Sequence, residues 1–509
     1  MANTIRKLTA VDASFLYLET PEVPMHVGSV AIFQLPDKYP GDFFEDLKTM
    51  IGRRLHLAPM LTWKLAHTPL DIDRPSWIED EQFDIDRHVF RGALPAPGDL
   101  PTLQRLVGWM HAKLLNRARP LWEIYVFEGL PENQAAIYSK MHHACIDGGA
   151  GAAMAQLLYD ATPTPRETAK PAPRKASEKS DERDFVSSLV ASSLQFWNFG
   201  DAAGGLPKIE APRIGKTDLG SVLVDALVDG LKQSRQFVES LPDILKVAGD
   251  IGGKIASSGG VADLGKLIAP ATPLNGAISS ERSYAAVSLS MPRVKAVAAK
   301  AGAKLNDVVL AISSGVLRQH LMGRGALPTK SLTAFVPIST RDAGDSSASN
   351  QVMGMICTLA TEIEDPKARL ETIFAESAKS KELSSPLKQL LPLVTDTVAL
   401  GAPIGLQLLS LLYSRSNLAN LLPPAVNVAI SNVFGPKFAL YVNGAELLHS
   451  YPVSIVTHGI GLNITLQSYR DHLDFGLIAG ANILPDVQNL ANALPGELAK
   501  LEAAYGLAA

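Results

Sequence analysis

Residues 141–150 read MHHACIDGGA, in which two adjacent histidines are followed at a fixed distance by an aspartate and two glycines. The residues that lead into them, QAAIYSKMHH, alternate as a β-strand does, so the side chains of His142 and His143 point to opposite faces. The alanine-rich stretch that follows, AGAAMAQLLYDA, predicts a helix. We therefore expect a strand–turn–helix junction, with His143 at the end of the strand and Asp147 near the helix N-terminus.

The motif alone is compatible with three kinds of role. In a structural interpretation His143 is a core histidine, Asp147 caps the helix, and the glycines allow close packing. In a metal-binding interpretation His143 and Asp147 are ligands, but this needs a helix where the pattern predicts a strand and a turn, and no further ligand is evident nearby. In a catalytic interpretation one histidine takes a proton from an alcohol or a thiol, because an imidazole pKa of about 6.5 suits that step.

Two nucleophilic mechanisms are disfavoured by the sequence. A serine hydrolase of the elbow type needs G-x-S-x-G, and the nearest string, AISSGVL, lacks the first glycine. Cys145 lies close to His143, but the glycine-rich turn that follows argues against a shared strand face for the two side chains.

The composition excludes several classes of protein. The chain has 509 residues, of which 47% are hydrophobic and 19% charged, with a net charge of −4. A chain of this length predicts two or three compact units, and the charge argues against a dedicated nucleic-acid binder. Only two cysteines occur, so a disulfide scaffold is not expected, and a reducing cytoplasm fits. The N-terminus lacks the apolar core of a secretory signal, and the uncharged segment Thr397–Ser414 predicts a buried or interfacial helix.

Composition and periodicity divide the chain into four predicted parts. They are an N-terminal α/β part (1–160), an exposed linker rich in Pro, Lys and Glu (161–184), a helical connecting region (185–274) and a C-terminal α/β part (275–509). In the first part HVGSVAIFQL and WEIYVF predict strands, and apolar residues at helical spacing behind Pro101 predict a helix. In the last part LNITLQSYRDHLDFGLIAG predicts a hairpin. Two α/β halves of similar size predict a cleft between them, where ligand sites commonly form.

Several further segments extend the motif to a family resemblance. HHACIDG resembles the HHxxxDG signature of acyl-CoA-dependent acyltransferases with a chloramphenicol-acetyltransferase-like fold. The remaining segments resemble the bacterial wax ester synthase/diacylglycerol acyltransferases: LTAVDASFLYLETPEVPMHVGSV (8–30), RPLWEIYVFEGL (119–130), LNDVVLA (305–311), SNVFGP (431–436) and PVSIVTHGIGLNITLQSY (452–469). The likeness runs from about residue 8 to residue 490. One departure is Phe434, where the family more often has proline.

The resemblance implies a fold and an activity. The expected fold is mixed α/β (α+β), with two chloramphenicol-acetyltransferase-like subdomains whose mixed sheets are flanked by helices, and with an active-site tunnel between them. The expected enzyme is a long-chain O-acyltransferase that moves a fatty acyl group from acyl-CoA to a fatty alcohol, giving wax ester, or to diacylglycerol, giving triacylglycerol. No cofactor or metal is implied, because acyl-CoA is a substrate.

The resemblance also implies roles for individual residues. The second motif histidine is the base of the family, which here is His143, and His142 is expected to support it. Asn306 is the expected oxyanion donor, although the local sequence favours a helix N-cap, and Asp307 is expected to bond backbone amides. The expected partner of Asp147 is Arg341, so that their pair holds the turn beside Gly148.

The remaining site residues are expected to contact substrate. Pro120, Leu121 and Trp122 form the PLW triplet, which packs the core or borders the acyl tunnel. Ser431 and Asn432 are candidates for binding the thioester or the pantetheine amide, and a structural turn is the alternative. His458 either lines the acceptor site or ends a strand.

The expected location is the cytoplasm, peripherally on the inner membrane or on lipid inclusions. Residues 386–423, together with helices in 220–270, either rest on a lipid surface or cover the core. The alternatives for function are a non-catalytic lipid-binding or droplet-coating protein on the same fold, and an acyltransferase for another alcohol.

Overall fold

The computed structural model describes residues 6–66, 74–145, 154–155, 157–167, 269–339, 352–387, 418–421 and 424–507. Several sequence expectations lie outside these residues, namely those on Asp147, Gly148, Arg341 and the segment Thr397–Ser414. Most of the predicted linker, most of the connecting region and most of residues 386–423 also lie outside them.

Fifteen strands form within the described residues. They are β1 (Arg6–Lys7), β2 (His26–Gln34), β3 (Trp63–Ala66), β4 (Ser76–Glu79), β5 (Val89–Gly92), β6 (Trp122–Leu130), β7 (Gln134–His142), β8 (Arg282–Ser290), β9 (Thr333–Ser339), β10 (Val352–Thr358), β11 (Val428–Val433), β12 (Tyr441–Val442), β13 (Ala445–Val453), β14 (Leu462–Tyr469) and β15 (His472–Gly480). A small sheet in the order β1-β4-β3 lies beside the two large ones.

The helices alternate with these strands. They are α1 (Ala10–Leu18), α2 (Phe43–Arg54), α3 (Leu100–His111), α4 (Met291–Ala301), α5 (Leu305–Gly323), α6 (Pro366–Leu387), α7 (Leu418–Leu421) and α8 (Val487–Ala504). Short 3₁₀ turns occupy Leu55–Leu57, Pro59–Thr62, Ile85–Arg87, Pro131–Asn133 and His143–Cys145. Among the described helices, none combines the length and the apolar character that a membrane crossing requires.

The sequence explains where helix α3 begins and which of its faces is buried. Its N-cap, Asp99, accepts a hydrogen bond from the backbone N–H of Thr102 at 3.0 Å, and Pro101 occupies the first turn. Leu103 and Val107 are fully buried on one face, as their spacing predicts. The helix ends at His111, so Leu114, which continues the apolar spacing, lies beyond it and is exposed.

The N-terminal sheet has the order β12-β13-β2-β7-β6-β5 and is antiparallel except for the parallel pair β5–β6. β7 lies near its centre, hydrogen-bonded to β2 and β6, and pairs His142 with His26 and Met141 with Trp122. This central strand therefore delivers the two motif histidines to one end of the sheet.

The C-terminal sheet has the order β10-β9-β11-β14-β15-β8, with β11 parallel to both β9 and β14. Helices α4, α5, α6 and α8 pack with the sheet around one apolar core. Within that core α5 is buried along most of its length, which matches the long apolar run VVLAISSGVL.

Strands from the C-terminal part complete the N-terminal sheet. β13 pairs antiparallel with β2 along its length, and its last residues adjoin the second sheet. The ring of His111 in α3 is hydrogen-bonded through Nε2 to the carbonyl of Ser454 at 3.0 Å, and Gln104 donates to the carbonyl of Ala286 at 3.0 Å. The two mixed sheets flanked by helices confirm the predicted fold class, while the predicted boundaries between parts stay a prediction.

Candidate active site

His143 stands immediately after the end of β7, as the sequence predicts. β7 ends at His142, and His143 begins the 3₁₀ turn His143–Cys145. Its backbone N–H donates to the carbonyl of Met25 at 2.8 Å, and its ring stacks on Phe15 of α1 with centroids 4.0 Å apart. The turn and the aromatic ring together fix the position of the imidazole.

The surroundings of His143 favour its neutral form. Burial lowers the pKa of His143 to about 4, its own backbone group acts to raise the pKa, and neighbouring His142 acts to lower it. Nδ1 is buried without a hydrogen-bond partner among the described residues, while the side chain as a whole is partly exposed. At neutral pH the ring is therefore unprotonated and able to accept a proton.

His142 faces the other way and is fully enclosed. Its Nδ1 accepts the backbone N–H of Ala144 at 3.1 Å, so the ring carries its proton on Nε2. Nε2 lies 3.3 Å from Oε1 of Glu19, and the His142 backbone N–H donates to the carbonyl of Leu121 at 2.9 Å. These contacts tie His142 to the chain on both sides of the turn, and its supporting role stays a prediction.

Glu19 is a site residue that sequence reasoning missed. Its carboxylate is buried, accepts from Arg117 Nη2 at 2.8 Å and from the backbone N–H of Met25 at 3.0 Å, and faces His142. Burial raises the pKa of Glu19, but His142, Arg117 and the Met25 amide all lower it, so that the pKa falls to about 2. The residue lies more than 100 positions before His142 in the chain, and no local pattern marks it.

A small cleft, partly open to solvent, adjoins the turn. It is lined by the following residues: Arg6, Lys7, Leu8, Thr9, Asp12, Met60, Leu61, Trp63, Trp77, Leu121, Trp122, Met141, Ala144 and Cys145. Leu121 and Trp122 are almost wholly buried, and Trp122 Nε1 donates to the carbonyl of Leu61 at 2.7 Å. Both thus pack in the core and border a cavity, while Pro120 is buried beside them.

Asn306 and Asp307 lie in the first turn of α5. Lys304 is the N-cap, so the alternative in which Asn306 caps the helix is wrong. Asp307 takes the capping contact, because its Oδ2 accepts the backbone N–H of Lys304 at 3.0 Å. The side chain of Asn306 is partly exposed, and it makes no hydrogen bond within the described parts of the chain.

Ser431 and Asn432 lie on β11 of the C-terminal sheet, and His458 lies in the loop before β14. Ser431 and Asn432 are partly exposed near the end of β11, and Oδ1 of Asn432 is buried without a hydrogen-bond partner in the described residues. His458 accepts the backbone N–H of Ile278 through Nδ1 at 3.1 Å, and burial lowers its pKa. His458 therefore ties a loop to the chain before β8, while its substrate contact stays a prediction.

The structure brings His142, His143, Leu121 and Trp122 together at the end of β7. Pro120 precedes Leu121 directly, and the other expected site residues that the structure describes belong to the C-terminal elements. In the described ranges, no three His, Cys, Asp or Glu side chains are grouped so that they could hold a metal ion.

Comparison with known proteins agrees with this geometry. The wax ester synthase/diacylglycerol acyltransferase catalytic domain matches residues 8–309, and the WS/DGAT C-terminal domain matches residues 348–502. The chain is 35% identical over 497 residues to a probable diacylglycerol O-acyltransferase of Mycobacterium tuberculosis, covering 97% of this chain and 98% of that protein. It is 34% identical over 504 residues to the O-acyltransferase WSD of Acinetobacter baylyi, covering 98% and 97%.

A solved structure gives the same result at the level of the fold. The wax ester synthase/diacylglycerol acyltransferase from Marinobacter aquaeolei VT8 superposes with a TM-score of 0.66 at 28% identity, over 99% of this chain and 100% of that one. The two domain matches and the relatives cover nearly the whole chain. The chain therefore belongs to the wax ester synthase/diacylglycerol acyltransferase family.

Proposed function

We propose that the chain transfers a long-chain acyl group from acyl-CoA to the hydroxyl of a fatty alcohol or diacylglycerol, with His143 as the general base. The observation that carries the proposal is the imidazole itself: a neutral, partly exposed ring that stacks on Phe15, in a turn whose next two residues line the cleft. A neutral ring is needed because an imidazolium cannot accept the proton of the attacking hydroxyl.

The reaction is a direct transfer in a ternary complex. Nε2 of His143 accepts the proton of the acceptor hydroxyl as the oxygen attacks the thioester carbonyl. The tetrahedral oxyanion collapses, the carbon–sulfur bond breaks, and the imidazolium returns its proton to the departing thiolate. The products are the ester and free CoA, and the histidine ends in its original state. The base contributes about 10²–10⁴-fold, and positioning contributes the rest.

Three further roles belong to this proposal. Asn306, in the first turn of α5, donates a hydrogen bond to the oxyanion, at a helix N-terminus whose partial positive charge favours the anion. Ser431 and Asn432 hold the thioester end of acyl-CoA, where the unpaired Oδ1 of Asn432 accepts an amide N–H of the pantetheine. The third role, a pair of Asp147 with Arg341 beside Gly148, is implied by the family resemblance and lies outside the described residues.

Leu121 and Trp122 border the site of an alkyl chain in the cleft beside the turn. Because both substrates carry long alkyl chains, the enzyme works peripherally at the inner membrane or on lipid inclusions. His458 belongs to the acceptor side.

The test is acceptor-dependent release of CoA from palmitoyl-CoA, with hexadecanol or dioleoylglycerol as acceptor and with the ester product quantified. We expect activity in the wild type and a loss of about 10²–10⁴-fold in His143→Ala. His56→Ala, which changes an exposed histidine, is the control and keeps full activity. Full activity in His143→Ala would contradict the mechanism, and silence in every protein would favour the non-catalytic lipid-binding alternative.

A further inference from the structure

A short loop after β11 exposes an unusual amount of apolar surface. Phe434 is 86% exposed and Phe438 is 58% exposed, and Val433 at the end of the strand is 44% exposed. Single exposed apolar residues are ordinary on protein surfaces, but clustered large ones mark interaction sites. We call residues 433–438 the aromatic loop.

The aromatic loop is held in place by its backbone. The N–H of Gly435 donates to Oγ of Ser468 at 3.1 Å, and the carbonyl of Pro436 accepts the N–H of Arg470 at 3.0 Å. A Cβ atom at Gly435 would lie 2.0 Å from the carbonyl oxygen of Ser468, so the loop lies directly against β14. The two phenylalanines are therefore presented to solvent by an anchored loop.

The apolar surface continues from the loop onto the sheet. Phe335 and Ile356 are cross-strand partners, and Ala429 of β11 pairs with Phe335, so these three side chains share one face. Val433 lies four residues after Ala429 on the same face by strand alternation. Phe335 and Ile356 are both exposed, while the opposite face of these strands belongs to the core.

We propose that the aromatic loop and this face dock on an anionic phospholipid bilayer. Lys437 is exposed between the two phenylalanines, so the loop offers aromatic rings to the lipid interface and a cation to headgroup phosphates. Ser431 and Asn432 directly precede the loop on β11, so docking there brings the bilayer next to the proposed acyl-CoA site. The choice of a lipid rather than a protein partner rests on the proposed function.

The first test is flotation of the full chain with phosphatidylcholine vesicles that contain phosphatidylglycerol. We expect the double variant Phe434→Ser with Phe438→Ser to bind at least about tenfold more weakly than the wild type. Lys437→Glu weakens binding at low salt and less at high salt. The matched control, Trp109→Ser with Met322→Ser, removes two similarly exposed apolar side chains elsewhere and binds as the wild type does.

The second test separates this inference from the proposed function. CoA release with a short, water-soluble alcohol stays unchanged in the double variant, while release with vesicle-borne diacylglycerol falls in parallel with binding. Vesicle binding needs no transfer activity, so a wild type that floats but does not transfer would contradict only the proposed function. Equal flotation of the double variant and the wild type would overturn the docking site.

A third measurement places the loop in the bilayer. Tryptophan at position 434 (Phe434→Trp) adds fluorescence that brominated phospholipids quench beyond the quenching of the native tryptophans. An absence of added quenching would overturn the proposal. Loss of self-association in the double variant, without loss of vesicle binding, would also overturn it in favour of an interface between copies of the chain.

Discussion

The adjacent residues His142 and His143 have different surroundings. His142 is enclosed, with Nδ1 bonded to a backbone amide and Nε2 facing a carboxylate. His143, one residue later, stacks on Phe15 and is partly exposed. His142 is the last residue of β7 and His143 the first of the 3₁₀ turn, so the two side chains have different surroundings. The alternating pattern predicts that the two rings face opposite ways, and the family resemblance implies which of them is the base.

The carboxylate behind His142 is a positioning group, and its removal tests that role. We expect Glu19→Gln to lower kcat by about tenfold or more, because the His142 turn loses its charged anchor and the His143 ring shifts. KM for acyl-CoA and the acid limb of the pH–rate profile change little, since Glu19 does not contact the base.

Steady-state kinetics with varied acyl-CoA and pH check this expectation. The matched control is Glu81→Gln, which removes an exposed carboxylate. A rise in KM with kcat unchanged would mean that Glu19 serves substrate binding rather than the position of the base.

At the scale of elements, helix α5 carries a glycine that packing requires. A Cβ atom at Gly315 would lie 1.7 Å from Oε2 of Glu497, which is paired with Arg369 in the core at 3.1 Å. We expect Gly315→Ala to lower the free energy of unfolding by about 1–3 kcal/mol, because the buried ion pair must move.

Urea unfolding measures this effect, and the same helix supplies its control. A Cβ atom at Gly323 would meet nothing within 4 Å, so Gly323→Ala leaves stability unchanged or raises it by up to about 1 kcal/mol. Equal effects of the two substitutions would show that helix propensity, rather than the close contact with Glu497, decides the cost.

A helix or strand could be predicted from the sequence where the residues that cause it lie within the segment itself. Alternation in HVGSVAIFQL and WEIYVF predicted β2 and β6, and Pro101 marked the start of α3, because these signals lie within the segment itself. The extent of α3 was harder to predict, since Leu114 extends the apolar spacing beyond the last turn. Helix α5 begins two residues earlier than an N-cap at Asn306 requires, so Lys304 is the N-cap and Asp307 makes the capping contact.

At the scale of the whole molecule, the pairing of β13 with β2 was not predicted. The two strands are separated by about 400 residues in the chain. The alternation within each strand predicts one apolar and one polar face, but it does not predict which strand is its neighbour. Glu19 escaped prediction for the same reason, because its partners Arg117 and His142 come from distant positions. The overall fold and the activity were predicted from the family resemblance and not from local patterns.

Buried histidines give the whole molecule a pH-dependent stability. Burial, with a smaller effect of nearby cations, lowers the pKa of His111 to about 3 and that of His26 well below its usual value, and the pKa of His143 falls to about 4. The unfolded chain takes up these protons near pH 6.5, while the folded chain does not. The free energy of unfolding therefore decreases as the pH falls below about 6.5, by about 1.4 kcal/mol per pH unit for each histidine.

Urea unfolding between about pH 6.5 and pH 4.5 measures this slope. We expect His111→Gln to reduce the slope by about one proton, whereas His56→Gln, at an exposed site, leaves it unchanged. A stability that does not vary over this range would contradict the burial of these rings in neutral form.

The pH dependence of kcat/KM below neutrality tests the central claim, that the neutral ring of His143 is the base. We expect the rate to hold through pH 6 and to fall by half near pH 4, the value at which burial sets the pKa of His143. Phe15→Ala admits water to the ring, so the pH at which the rate falls by half moves upward, toward about 6.5. Brief assays, with recovery of activity at neutral pH as the control, separate titration from unfolding. A limb near pH 6.5 that Phe15→Ala leaves in place would contradict the account.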